Sequence, residues 1–545
     1  MRTCRAISEQ VTQASRWGAA CLALVAGLVA GACGGDGGGG GGAGGTVVVG
    51  MRSDFGSFNP VTSSGQYDLE LMNYALFTPI VQYDEGLQVQ PYLAESWELH
   101  GDTGVTFHLR QDVRWHDGQP VTARDVEFTF NLAKDEQTAS LLGTAFLAEV
   151  DAAQVVDDYT ITFHFAQPHA QALEDFWWPP LPRHLLENVA PAELRNSEFN
   201  RQPVGSGPFR FGEWRANEQL VLVRNEDFPE ALGGPAAAER VVFRVIPEAS
   251  TMLTELITGG LHVDIPLMPD QVRQVRDNAD TELHSFPGRT VYFLGWNNAR
   301  PPFDDAAVRR ALAHAINRQE IVDALLYGEG AIATSTVPPW HPLYPDVDPV
   351  AHNPEQAAQM LEQAGWTDRN GDGIRENAQG EPLAFEVLSS DDALRRSVVE
   401  VLQNQLRQVG ADVEIRVMEF QTMLQNHRER NFDAVFTNWV LDNFQVAAAP
   451  TALFHSREAD TELSANRSTV RIPDLDAAIE RGTRATDEGE QRAAWQAMTE
   501  VLQREQPVTF MFWLNELAAS RAGMGGVEMD PRGELRSIAR WTTGG

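Results

Sequence analysis

The chain has 545 residues, 43% of them hydrophobic, and a formal net charge of −34. At roughly 150 residues per domain, that length holds about three or four domains, or fewer large ones, with ample material for a core. So acidic a balance leaves no phosphate-neutralising excess, which makes nucleic acid and anionic lipid surfaces poor partners. Lys134 is the only lysine and Asp135 follows it. No phosphate-loop Gly-Lys-Ser/Thr is therefore present, and lysine-dependent covalent chemistry has a single candidate.

The chain opens with Arg2, Arg5 and Arg16 before an apolar stretch from Trp17 to Ala32, too short and glycine-rich for a comfortable membrane span. A basic start, an apolar centre and small residues before a cut are the parts of an export signal over residues 1–32. Leu28-Val29-Ala30-Gly31-Ala32 ahead of Cys33 resembles a bacterial lipobox, with alanine at position 30 where leucine is usual. The resemblance implies a lipid on Cys33 and a location on the extracytoplasmic face of a bacterial membrane. Residues 33–45 are almost all glycine and read as a flexible tether. Cys4 and Cys21 lie inside the signal, so the mature chain has no disulfide and no thiolate chemistry.

Beyond the tether, Thr46–Gly50 reads as a first buried strand, and Thr106–Arg110 alternates as a half-buried one. Val113–Gly118 predicts a second strand ending in an Asp-Gly turn. Thr122 with Asp125 three residues on opens a helix with a capping box. Thr160–Phe165 alternates again. Gly205-Ser206-Gly207-Pro208 is a turn feeding Phe209–Phe211, and Leu220–Val223 follows as a strand. Val308, Leu312 and Ile316 share one helix face, Asn317 and Glu320 cap the next helix, and Gly328 stops it. Residues 357–364 and 398–409 are amphipathic helices ended by Gly365 and Gly410, and Val413–Val417 is a strand. Strands and helices intermix without a repeat, which predicts an α/β architecture with mixed sheets.

These segments, in this order, resemble the family 5 extracellular solute-binding proteins, the dipeptide- and oligopeptide-binding components of bacterial ABC importers. Leu93–Trp97, Thr106–Arg110, Val113–Gly118 and Thr122–Val126 are similar to the family's N-terminal signature. Gly205–Phe209, Phe303–Arg318, Ala364–Trp366 with Gly371-Asp372-Gly373, and Asn431-Phe432-Asp433 continue the series. The resemblance implies a type II periplasmic-binding fold, two lobes with mixed sheets, a two-segment hinge and an inserted subdomain in the first lobe. Lobe I is expected at 46–290 plus 506–545, with the insert near 79–202, and lobe II at 291–505. Tyr292–Leu294 and Thr509–Phe512 are apolar runs that fit the two crossing strands.

A peptide held between lobes needs its charged ends compensated, because an unpaired ion in a dry cleft is strongly unfavourable. By the same resemblance, the Trp-x-x-Asp spacing of Trp439-Val440-Leu441-Asp442 implies Asp442 as partner of a terminal ammonium. Trp439 and Asn443 would line the cleft. The family's downstream acidic, proline-containing stretch is replaced here by Phe444–Ala448. Thr62–Asp68 resembles the early loop whose backbone approaches the ligand, which adds Gly65 and Tyr67. The counter-ion for a ligand carboxylate should be Arg or His, and 41 arginines leave that choice open.

Asp368, Asn370, Asp372 and Glu376 stand at the oxygen positions of a calcium loop. Position 12 is Gln379, however, and an Asx-rich turn explains the same residues, so no metal and no cofactor are expected. His108 and His116 read as structural, and Trp177-Trp178-Pro179-Pro180 as a packed wedge. No nucleophile or zinc signature is present. The expectation is a lipid-anchored, monomeric receptor, not an enzyme, that captures a small polar solute, most simply a short peptide, and hands it to ABC permease subunits. A receptor for oligosaccharides or nickel chelates, and an exported lipid-anchored hydrolase, are the alternatives.

Overall fold

The computed structural model describes residues 45–544 apart from Ser64, 167–171, Asp442, Asn443, Gln445, Glu462 and Leu463. The expected export signal, residues 1–32, and Cys33 lie outside the described residues. Among those described, no helix is long and apolar enough to cross a membrane.

The valine-rich run Thr46–Met51 forms a strand flanked on both sides by parallel partners, Arg240–Val245 and Val263–Ile265. An unbroken apolar run suits such a central strand, covered on both faces. It belongs to an eleven-stranded mixed sheet that extends outward through Gln219–Arg224 to Phe209–Arg215. At the other end lie three parallel strands, Asp412–Met418, Ala384–Ser390 and Ala434–Val440, in that spatial order.

Two long antiparallel strands, Thr281–Trp296 and Val508–Arg521, join these ends. Thr281–Pro287 pairs with Asn515–Arg521, and the register breaks at Gly288-Arg289 before pairing resumes from Thr290 with Leu514. Thr290–Trp296 pairs also with Ala434–Val440, while Ala519 and Ser520 pair with the strand beside Thr46–Met51. The apolar runs Tyr292–Leu294 and Thr509–Phe512 fall inside these crossing strands, as their composition suggested.

A separate four-stranded antiparallel sheet, Ala94–Leu99, Gly104–Leu109, Thr160–Phe165 and Val150–Asp157, lies between residues 94 and 165. Phe107, Phe163 and Phe176 pack beneath it, with ring centroids 4.6–6.1 Å apart. At the far end of the large sheet, one face buries Trp296, Phe303 and Phe385, and the other buries Phe293, Trp495 and Phe510.

The local signals hold in detail. Thr122 and Asp125 form the capping box, the Thr122 backbone N–H donating to Asp125 Oδ2 at 2.8 Å, and the helix runs Ala123–Lys134. Asn317 Oδ1 accepts from the Glu320 N–H at 3.1 Å. Gly365 and Gly410 follow their helices at φ +88°, a conformation that costs other residues energy. One expectation fails. Val113–Gly118 is a tight loop, bridged only between Arg114 and Pro120, with Gly118 at φ +91°. The Gly104–Leu109 strand already has both partners, so this run does not extend it, and Trp115 instead plugs the core at 2% exposure.

Candidate functional site

The register break in the crossing strands is where the two ends of the molecule meet. Gly288 has no room for a Cβ, which would lie 2.6 Å from the Leu514 carbonyl. From the far end, the Trp340 indole N–H donates to the Gly288 carbonyl at 3.1 Å and the Leu441 N–H to the Arg289 carbonyl at 2.9 Å. The Arg289 side chain points the other way. It is buried, and its Nη2 lies 3.4 Å from Glu70 Oε1 on the helix Gln66–Leu71.

Around Arg289 stand three carboxyls, Glu70, Glu516 and Glu534. Glu70 and Glu534 are 2% and 1% exposed. Tyr67 donates its phenol to Glu534 Oε1 at 3.1 Å, and the charge of Glu534 disfavours ionisation of Glu516. Burial lifts Glu70 and Glu516 to about 7 and Glu534 to about 8, with Arg289 opposing the rise in each. One guanidinium cannot neutralise three ionised carboxylates in a dry setting, so protons supply the balance.

These shifts set a stability trend. The folded chain holds protons that the unfolded chain releases near pH 4.5, so the stability contributed by this cluster is complete below that pH. It is lost as pH rises through about 7–8. His116 and His341, both lowered to about 4 by burial, act in the opposite sense, losing stability as pH falls below their ordinary 6.5. The difference between wild type and Glu534→Gln isolates the cluster. Wild type is expected to lose about 1 kcal/mol per pH unit relative to the variant between pH 5 and 8, read from denaturation midpoints. Parallel pH curves for the two proteins would refute the raised carboxyls of the cluster.

An aromatic cluster closes the same seam. Phe444, from the far end, sits 4.8 Å from the Tyr83 ring and 5.3 Å from the Trp177 ring, both from the first part of the chain. His341 holds the Phe444 carbonyl at 3.2 Å. Trp177 is thus a wedge, as its sequence neighbours suggested, but one whose face meets the opposite half.

Of the residues expected from sequence, Tyr67 joins the carboxyl cluster directly. Trp439 lies on the strand Ala434–Val440 that leads through Leu441 into the crossing, partly buried against Phe293 and Leu453. Gly65 is exposed at the start of the Gln66–Leu71 helix, and a Cβ there would sit 2.8 Å from Asp68 Oδ2. Asp68 itself ties the loop together through Gly56 N–H, Ser57 N–H and the Ser63 hydroxyl at 2.8–3.2 Å. Asp442 and Asn443 lie outside the described residues. Arg289, Glu70, Glu516, Glu534 and Phe444 had no local signature, since each gains its role only by long-range packing.

A family model described as bacterial extracellular solute-binding proteins, family 5, middle, matches residues 88–461. The chain belongs to this family. The oligopeptide-binding protein AppA of Bacillus subtilis is 28% identical over 91% of each chain. The nickel-binding periplasmic protein of Escherichia coli is 28% identical over 84% of this chain and 87% of its own, and the dipeptide-binding protein of that organism 26% over 88% and 91%. The solved structure of Bacillus subtilis AppA with a nonapeptide has a TM-score of 0.74 at 27% identity, covering 92% of this chain and 99% of its own.

Family membership makes the protein a solute-binding component of ABC importers and not an enzyme, and its fold is the two-lobed type II periplasmic-binding fold. In this family 5 protein, His116 serves the fold. Its ring bonds the Gly205 N–H at 3.2 Å and the Gly207 carbonyl at 3.1 Å, pinning the Gly205–Pro208 turn.

The 368–376 loop is set apart from the seam in sequence. Oxygens of Asp368, Asp372 and Glu376 lie within 4.8 Å of one another, with both aspartates exposed. Each carboxylate already accepts a backbone N–H: Gly371 and Gly373 on Asp368, Ile374 on Asp372, Arg369 on Glu376, at 2.7–3.1 Å. The loop thus closes through its own Asx turns. Calcium chelation is expected to leave the melting temperature unchanged, and a chelator-induced fall of several degrees would make this a calcium site.

Proposed function

We propose that the protein is a lipid-anchored receptor, tethered through Cys33, that captures short peptides outside the cytoplasm and delivers them to ABC permease subunits. The observation that carries the peptide reading is the Leu441 N–H bond to the Arg289 carbonyl. It anchors the Trp439–Leu441 run at the strand crossing, and the chain passes from there directly into Asp442. A carboxylate such as that of Asp442 suits a ligand ammonium. The end-to-end similarity to an oligopeptide-binding protein supports the same ligand class.

In this reading lobe I comprises 46–290 and 506–545, with an insert at about 79–202, and lobe II comprises 291–505. Ligand binding shifts the population toward the closed pair by bridging them. The receptor acts as a monomer and needs no cofactor. Nickel chelates form a second reading, favoured by the nickel-binding relative of equal identity.

Mass spectrometry of the ligand that co-purifies tests the proposal, with calorimetry on pooled di- and tripeptides, oligosaccharides and nickel–histidine. Peptides in the released ligand and micromolar or tighter peptide binding are expected. Retention of a sugar or a metal chelate instead would overturn the peptide reading.

A further inference from the structure

The short edge strand Gly330–Ile332 pairs with residues 512–514, on the far side of the register break at Gly288-Arg289. Glu329, the residue just before it, reaches back over that break. Its carbonyl accepts from the Asn515 N–H at 3.3 Å, and Asn515 is paired with Pro287 on the near side. Its carboxylate takes the same direction. Oε1 accepts from Arg276 Nη2 at 2.7 Å, and Oε2 accepts from the Ser285 hydroxyl and from Asn515 Nδ2.

The two partners of this ion pair are rooted in different cores. Glu329 follows the helix Arg318–Leu325, whose Ile321 and Val322 pack in the far core with Trp296. Arg276 ends the helix Val272–Arg276, whose Val272 and Val275 pack with Leu517 and Ala519. The Glu329 side chain is 4% exposed, and Arg276 is its only ion-pair partner among the described residues. A buried carboxylate left without its cation is costly. Asn515 and Glu516 are successive residues of one strand, so their side chains leave it on opposite faces. The Glu329 contacts therefore lie across the strand from Arg289 and its carboxyls. Rotation of one end of the molecule against the other at the break moves Arg276 relative to Glu329.

We propose that Glu329 and Arg276 form an interlobe clamp that sets the angle of the hinge. The pair is made in the arrangement in which Phe444 lies against Tyr83 and Trp177, so it favours the state with the seam closed. Both act as positioning residues: they raise affinity for the solute by populating the closed lobes, not by contact with it. Arg276 is 56% exposed, so salt weakens the clamp. The proposal rests on the lobe division given above and not on the peptide reading.

The test titrates pooled di- and tripeptides, and separately nickel–histidine, into wild type, Arg276→Gln and Arg276→Lys by calorimetry, in dilute buffer and in ~1 M sodium chloride. In dilute buffer Arg276→Gln is expected to bind ~5-fold more weakly or worse, while Arg276→Lys keeps most of the affinity. High salt should narrow the gap between wild type and Arg276→Gln. Thermal melts without ligand check folding, and if Arg276→Gln does not fold, Glu329→Gln takes its place with the same expected loss.

Equal or tighter binding by the folded variant would overturn the clamp, and so would a loss that salt leaves unchanged. Should neither probe bind wild type, the ligand readings fail and the hinge is tested alone by small-angle scattering of the unliganded proteins. A larger radius of gyration for Arg276→Gln than for wild type then upholds the clamp, and an equal one rejects it.

Discussion

Arg289→Met is expected to destabilise the protein by about 3–5 kcal/mol at pH 8, because it removes the cation from a buried cluster while leaving the carboxyls behind. Glu70 and Glu534 have almost no exposure to water, and Arg289 opposes the rise of both. Without the guanidinium, each carboxyl must stay protonated or ionise in a dry setting, so the loss should shrink as pH falls toward 5. Methionine keeps the apolar bulk of the side chain, which separates the charge effect from a cavity. The backbone bonds from Trp340 and Leu441 reach the carbonyls of residues 288 and 289 and survive the substitution. Chemical denaturation at pH 5 and pH 8 makes the measurement. A loss under about 1 kcal/mol at pH 8, or one of equal size at both values, would mean that Arg289 does not hold the cluster.

Asp442→Ala is expected to weaken peptide binding by about 2–5 kcal/mol, which is ~30-fold or more in affinity, with little change in stability without ligand. A terminal ammonium drawn into the seam gives up water, and only a charged acceptor offsets that cost. N-acetylated peptides supply the control, since they carry no ammonium. Wild type should bind them as weakly as the variant binds the free peptides, and the variant should not distinguish the two. If Asp442→Ala keeps full affinity for free peptides, another group takes the ammonium, and the buried carboxyls around Tyr67 become the place to look.

Much of this molecule follows from residues close together in the chain. Thr122 with Asp125, and Asn317 with Glu320, satisfy helix-end donors within one turn, so three-residue spacing announces them. Gly365 and Gly410 stop helices through their own backbone freedom. The valine run at Thr46 becomes a strand because its period and branching suit nothing else nearby. Val113–Gly118 shows the limit. Its residues favour a strand, yet the neighbouring strand Gly104–Leu109 was already paired on both sides, and burial of Trp115 decided the outcome.

The candidate site divides in the same way. Trp439 and Tyr67 were visible because family order and spacing point to them. The carboxyl cluster was not, since Glu70, Arg289 and Glu534 are more than 200 residues apart in sequence and carry no local mark of their meeting. Helix and strand periods, caps and turns are properties of a few consecutive residues, so the amino-acid order alone determined them, together with the family. Which charges lose water together depends on distant segments excluding solvent around one point, and only the packed chain decides that.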